Sequence, residues 1–222
     1  MGRLLYTTRK IVTDKDVEHQ VLKKRNRVSA ICIGVDAVGV VQSVYESFRS
    51  ESLSQLWLHR LYLVNRYPSL DHAKTITGYD DGCHWWAYVT NTLRAQVSKA
   101  AKILAQQDVI IDNCHLRGHK DPRCKEKFNP KKHPIAKHLN TQGAEQTFSW
   151  FHLFKHICRN MNRERYWVFI LGVLHERNKI TLRRRAAQRA RVSNLPSTVA
   201  SRRFLNDPIP RSMGCDKKRK LF

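Results

Sequence analysis

Acidic residues stand where strand-like runs of the sequence end. Asp80 closes the run KTITGYD, and Asp112 closes the apolar run DVIID. Glu145 stands in NTQGAEQTFSW, in the first turn of a predicted helix. Carboxylates that converge from separate segments bind Mg²⁺ or Mn²⁺, and a pair of such ions can activate a nucleophile and stabilise the leaving oxygen in phosphodiester cleavage. We therefore select Asp80, Glu145 and Asp112 as candidate catalytic residues, with Asp80 and Glu145 as metal ligands.

Each of these acids also has a structural interpretation. Aspartate followed by glycine is ordinary turn chemistry, so Asp80 or Asp81 is also suited to cap the helix that begins near Cys83. An acid in the first turn of a helix, such as Glu145, is favoured by the helix dipole alone. Only the combination of separated acids at the predicted ends of strands favours a metal site.

The segment CHLRGHKDPRC, which begins at Cys114, predicts a second metal site. Thiolates and imidazoles are the usual ligands of zinc, and their spacing here is compatible with it. The alternative is chance, because 222 residues with 11 His and 6 Cys will form accidental clusters. A zinc ion here would have a structural role, holding the loop that leads to Glu145, and its candidate ligands are Cys83, His115, His119 and Cys124, with His84 nearby.

Apolar periodicity predicts the elements that must position these residues. The runs AICIGVDA and VGVVQSVYE predict a hairpin that turns near Asp36. Ser52 and Gln55 resemble a capping box, which predicts a helix from there to Pro68. Apolar residues from Trp85 to Leu104 predict one long helix, and further helices are expected over 143–160 and 163–178.

Strands that alternate with helices predict an α/β fold whose sheet contains parallel strands and is covered on both faces. The order of elements is that of a ribonuclease H-like mixed sheet flanked by helices, with its first strand missing. The predicted divisions are a polar segment over 1–28, a partial core over 29–178 and a flexible basic tail over 179–222.

The net charge of the chain predicts an anionic partner. It amounts to +23, with 41 Lys and Arg against 18 Asp and Glu. Residues 177–222 contain 14 Lys and Arg but only 2 Asp, a net +12. We expect DNA rather than a membrane, because the sequence contains no uninterrupted apolar run of about 20 residues. The candidate DNA-binding residues are Arg183, Arg184, Arg185, Arg189, Arg191, Lys217, Lys218, Arg219 and Lys220; the last four also predict nuclear import.

Four longer stretches resemble a known family of eukaryotic proteins. They are RSESLSQLWLHRL, YDDGCHW, VIIDNCHLRGHKDPRCKEKFNP and NTQGAEQTFSWFHLFKHICRNMNRERYWVFILGVLHERN. They are similar to the carboxyl-terminal catalytic half of KDZ-type (Kyakuja-Dileera-Zisupton) DNA transposases. The resemblance implies a ribonuclease H-like core with an Asp, Asp, Glu metal triad, in which Asp80 is the second acid and Glu145 the final one.

The sequence departs from the pattern that this resemblance implies. The first catalytic Asp should lie on a strand upstream of AICIGVDA, yet Asp14 and Asp16 lie in a charged, polar run and Asp36 lies at a predicted turn. We therefore expect a transposase-derived nuclear DNA-binding domain that is incomplete or inactive as an isolated chain. The alternative is a non-catalytic DNA-binding protein built on a transposase relic.

Overall fold

A computed structural model describes residues 5–10, 30–47, 52–159 and 161–193 of the chain, and a five-stranded sheet lies at its centre. The order across the sheet is β3-β2-β1-β4-β5. The β1–β2 and β2–β3 pairs are antiparallel, whereas the β1–β4 and β4–β5 pairs are parallel. The described residues are therefore a mixed α/β structure, as predicted. The strands are β1 (Leu5–Lys10), β2 (Ala30–Val35), β3 (Val41–Ser47), β4 (Ile76–Tyr79) and β5 (Asp108–Ile110).

The predicted hairpin is confirmed as β2 and β3. Asp36 Oδ1 accepts hydrogen bonds from the backbone N–H groups of Val38 and Val40 at 3.0 and 2.9 Å. Gly39 has φ of 87°, a conformation that glycine adopts without the steric cost of a Cβ. Asp36 therefore has the structural role of a turn residue.

The expectation that the first strand is missing is wrong. Strand β1 lies between β2 and β4, in the middle of the sheet, and its residues are LYTTRK. It is short and ends in two basic residues, so apolar alternation gives little sign of it. Its identity as a strand follows from pairing on both sides, to Val35 through Cys32 on β2 and to Ile76 through Tyr79 on β4.

The first helix, α1 (Leu53–Arg66), begins as the sequence predicts. Ser52 Oγ accepts from the backbone N–H of Gln55 at 3.4 Å and from its side-chain amide at 3.2 Å.

A buried polar network joins this helix to the sheet. The Arg60 guanidinium donates to Thr77 Oγ1 at 3.3 Å and to Gln107 Oε1 at 3.0 Å.

The prediction of one long helix from Trp85 to Leu104 is wrong. The segment contains three helices: α2 (Gly82–Val89), α3 (Thr92–Gln96) and α4 (Lys99–Ala105). Asn91 caps α3 through the N–H of Arg94, and Ser98 caps α4 through the N–H of Ala101. Apolar spacing alone does not reveal these interruptions, because the new capping residues sit on the polar positions between the apolar ones.

The later helices are α5 (Asn113–Leu116), α6 (Pro122–Lys127), α7 (Gly143–Phe151), α8 (Lys155–Arg159) and α9 (Arg163–Ser193). A 3₁₀ turn over His152–Phe154 separates α7 from α8, where one helix was predicted.

The predicted tail from residue 179 begins inside α9, because TLRRRAAQRARV is rich in good helix formers and precedes Pro196. In the described ranges, no helix is long and apolar enough to cross a membrane.

The chain divides into two compact units, Met1–Trp167 and Val168–Phe222. In the first unit, the sheet is covered on both faces. Val109 of β5 packs in a cluster with Leu56 and Trp85, whereas Ile110 packs with Ile76 and Ala136 in a separate cluster. Successive strand residues face opposite sides of a sheet, so two cores enclose it.

Helix α2 approaches β5 very closely at its first residue. A Cβ atom added at Gly82 would lie 3.0 Å from Ile111 Cγ1 and 3.1 Å from the carbonyl oxygen of Ile110. Glycine at this position lets the turn after β4 lie directly against the end of β5. That contact brings the residues that follow the two strands to one edge of the sheet.

This close approach predicts that Gly82→Ala destabilises the fold. Overpacking of this kind costs about 1–3 kcal/mol, which urea or thermal unfolding will detect. The matched control is Gly172→Ala in α9, where an added Cβ meets no atom within 4 Å. The control should be neutral or more stable by up to about 1 kcal/mol, from helix propensity. Equal stability of Gly82→Ala and the parent would contradict the packing.

Candidate metal centre

Four candidate residues from three segments of the chain meet at one edge of the sheet. Asp80 follows β4, Asp112 precedes α5 and follows β5, His115 lies in α5, and Glu145 lies in the first turn of α7. One ligand atom from each lies within 4.8 Å of the others, and we call this group the acidic cluster. The structure thus brings together all three candidate catalytic acids.

The parallel strands explain how Asp80 and Asp112 come to be neighbours. Gly78 of β4 pairs with Ile110 of β5, so both strands end at the same edge. Glu145 reaches that edge from helix α7. Helix α7 begins at Gly143, where a Cβ would lie 3.3 Å from the carbonyl oxygen of Asp36. The glycine lets α7 start against the end of β2, which places Glu145 one turn into the helix beside the other acids.

His115 contacts each acid of the cluster. Its Nδ1 hydrogen-bonds Asp112 Oδ2 and lies 3.5 Å from Asp80 Oδ1, while its Nε2 lies 3.7 Å from Glu145 Oε1. Crowded carboxylates repel one another, and an imidazole among them, when protonated, offsets part of that repulsion. The sequence analysis assigned His115 to the zinc site instead. The i, i+3 spacing of Asp112 and His115 was the signal that could have placed it here.

Asp112 has a structural function in addition to its place in the cluster. Its side chain is buried, and Oδ1 accepts from the backbone N–H groups of Cys114 and His115 at 2.7 and 3.1 Å. Burial alone would raise the pKa of this carboxyl. The hydrogen bond and charge of His115, together with the two backbone N–H groups, outweigh burial and lower the pKa below its usual value. Asp112 is therefore held ionised as the N-cap of α5.

A second group of metal-ligand types lies close by. Cys83, His119 and Cys124 each place one ligand atom within 4.8 Å of the others, and we call this group the thiol cluster. Three of the four candidate zinc ligands are thus brought together, and the structure places His115 with the acids. Cys114, which is buried at the start of α5, belongs to neither group.

The candidate DNA-binding residues separate into two sets. Arg183, Arg184, Arg189 and Arg191 are exposed on α9, and Arg185 is half-buried there. Lys217, Lys218, Arg219 and Lys220 lie outside the residues that the structure describes. The basic residues of the first set lie within a helix rather than in an irregular tail.

Comparison with known proteins agrees with the resemblance noted in the sequence. The family model described as KDZ, Kyakuja-Dileera-Zisupton transposase, matches residues 19–178. No curated protein and no solved structure matches the chain. The matched region covers more than half of the 222 residues and includes every member of the acidic cluster.

The two functions of Asp112 can be separated by substitution. Asp112→Ala removes the cap and the charge, so it should destabilise the fold by about 1–2 kcal/mol at neutral pH. Asp112→Asn is the matched variant, because asparagine caps a helix as well as aspartate and should cost less.

The pKa of the Asp112 carboxyl is lower in the folded chain than in the unfolded chain. Its ionised form therefore stabilises the fold fully at any pH above the unfolded pKa. That contribution is lost as pH falls through the folded pKa. Both variants should therefore lose less stability on acidification than the parent, as measured by urea unfolding at several pH values. Equal costs for Asn and Ala at neutral pH would show that the cap contributes nothing.

Proposed function

The chain belongs to the Kyakuja-Dileera-Zisupton transposase family, and from that membership we propose that it is a nuclear DNA-binding domain of the metal-dependent DNA cleavage and strand-transfer type. The observation that carries the proposal is the acidic cluster, in which Asp80, Asp112 and Glu145 converge from three elements. Strands β1 to β5, with three antiparallel strands followed by two parallel ones, support a ribonuclease H-like fold for the domain.

Asp80 and Glu145 are the residues that would hold Mg²⁺ or Mn²⁺. Their carboxylates are half-buried, with 34% and 23% of the side chain exposed, so an ion at the cluster would remain accessible to a phosphate. A divalent ion bound there supplies charge stabilisation for a phosphodiester oxygen and lowers the pKa of an attacking hydroxyl or water. Asp112 supports the site by fixing α5 and by holding His115 through Nδ1.

His115 offers a neutral or positive group where a pure carboxylate site would have only negative charge. With Nδ1 hydrogen-bonded to Asp112, the other ring nitrogen faces Glu145. An aspartate that accepts from one ring nitrogen of a histidine fixes the orientation of the ring. We propose that the Asp112–His115 pair positions Glu145 and, with nitrogen as a donor, favours Mn²⁺ as well as Mg²⁺.

The metal assignment predicts that Asp80→Asn and Glu145→Gln each weaken Mn²⁺ binding at least tenfold. Free Mn²⁺ can be measured by electron paramagnetic resonance during titration of the full chain. The matched control is Glu126→Gln, which removes an exposed acid of α6 outside the cluster and should leave binding unchanged. Binding that survives both cluster variants would refute the assignment.

Incubation of the parent and of the Asp80→Asn and Glu145→Gln variants with supercoiled plasmid separates metal binding from catalysis. Strand β1 contains no acidic residue, and both oxygens of Asp112 are engaged in hydrogen bonds, so Asp80 and Glu145 are left as the principal metal ligands. We expect no nicking above background by the isolated chain with Mg²⁺ or Mn²⁺. Nicking that disappears in Glu145→Gln would contradict this expectation and show that another acid, such as Asp112 or Asp36, supplies the third ligand.

DNA binding is proposed from the charge and its placement. The net charge is +23, and five of the candidate arginines lie on α9, four of them exposed. Contacts of this kind are with phosphates, so binding should be largely independent of base sequence. The basic residues Lys217 to Lys220 support the proposal of a nuclear location.

The salt dependence of DNA binding tests the role of α9. Each neutralised phosphate contributes about −0.9 to the slope of log affinity against log salt. The variant Arg183→Gln, Arg184→Gln, Arg185→Gln should therefore reduce the steepness by about 1 to 3, as measured by fluorescence anisotropy with a labelled duplex. The matched control replaces Lys131, Lys132 and Lys137, which are exposed elsewhere, by Gln. An unchanged slope for the arginine variant would show that α9 does not contact DNA.

A further inference from the structure

The thiol cluster lies next to the acidic cluster but uses different chemistry. Cys83 lies in the first turn of α2, three residues after Asp80. His119 lies between α5 and α6, and Cys124 is buried within α6. Two sulfurs and an imidazole nitrogen are soft and borderline donors, which suit zinc and do not suit Mg²⁺.

The separation between donor atoms fits a single zinc ion. Zinc bonds of about 2.3 Å to sulfur and about 2.0 Å to nitrogen, at tetrahedral angles, place those two donors about 3.5 Å apart. Cys83 Sγ lies 3.7 Å from His119 Nδ1. Cys124 Sγ is within 4.8 Å of both atoms. Only a small side-chain adjustment is therefore needed for all three to bind one ion.

The ring of His119 is oriented as a zinc ligand requires. Its Nε2 lies 3.1 Å from the backbone carbonyl oxygen of Asp80, and a carbonyl only accepts, so Nε2 carries the hydrogen. In the neutral ring, Nδ1 then presents its lone pair, and this is the atom that faces Cys83. A metal-binding histidine commonly donates its second ring N–H to a backbone carbonyl in this way.

The surroundings of Cys83 favour a bound cation. Cys83 Sγ lies 3.6 Å from Asp81 Oδ1, and Cys124 Sγ lies within 4.8 Å of the same sulfur. Two thiols and a carboxylate that crowd one another in this way are poorly accommodated as anions by themselves. A divalent ion relieves this repulsion, because it binds the thiolate form directly.

We propose that Cys83, His119 and Cys124 bind a structural zinc ion. Asp81 and His84 offer further ligand atoms beside Cys83, since their Oδ1 and Nδ1 atoms lie 3.6 and 3.8 Å from Cys83 Sγ. The ion would join α2, α6 and the loop between α5 and α6. This loop follows His115, and its His119 holds the carbonyl of Asp80, so zinc would brace the edge of the sheet that carries the acidic cluster.

This inference does not rest on the proposed DNA chemistry, and its test is separate. The full chain is purified under reducing conditions, and its zinc content is measured by mass spectrometry of the metals. We expect about one zinc per chain in the parent. Cys83→Ser, Cys124→Ser and His119→Gln should each reduce that content to background. Cys158→Ser, at a buried cysteine outside the cluster, and Glu145→Gln, in the acidic cluster, should retain it.

A second measurement needs no variant and so is independent of whether the variants fold. The zinc-free parent is titrated with Co²⁺, which takes the same site and reports its ligands in the absorption spectrum. Thiolate-to-cobalt charge-transfer bands with the visible bands of tetrahedral Co²⁺ are expected. Absence of both zinc and these bands, or zinc that persists when Cys83 and Cys124 are both replaced, would overturn the proposal.

Discussion

The parallel pairing of β4 with β5 is the constraint on which both clusters depend. Because Gly78 pairs with Ile110, the two strands end together, and the residues that follow them are forced to share one edge of the sheet. Gly82 then allows α2 to begin in contact with the end of β5. Asp80 and Cys83 follow β4, and Asp112 follows β5, so all three residues lie close to this contact. A shift in register by one residue would separate them.

Charge is the second constraint at this edge. Three carboxylates and two thiols lie close to one another in a chain whose net charge is +23. Within the clusters, compensation comes from groups of the same segments: His115 for the acids, and backbone N–H groups for Asp112. The repulsion among the acids is therefore reduced by groups that belong to the cluster and its own helix.

Much of the fold and of the acidic cluster could be predicted from the sequence, for physical reasons that differ between elements. The hairpin at Asp36 and the cap at Ser52 are local, because the side chains that form them bond to backbone groups within a few residues. The convergence of Asp80 and Asp112 followed from the rule for parallel strands. Strand β1 was missed because it is defined by pairing with strands that are distant in sequence. The breaks between α2, α3 and α4 were missed because they depend on capping residues, which apolar periodicity does not reveal. His115 was predicted as a zinc ligand and lies among the acids, because spacing cannot decide which of two adjacent clusters a side chain enters.

Asp112 couples the folding of the chain to its chemistry. The carboxylate that caps α5 also orients His115 among the acids. Selection for a folded domain alone would therefore keep this residue, even if the acidic cluster bound no metal. Its presence in a descendant sequence is consequently evidence of a stable domain and not of a working enzyme. Mutational drift in decaying copies should become visible first at residues that serve the chemistry without also capping a helix.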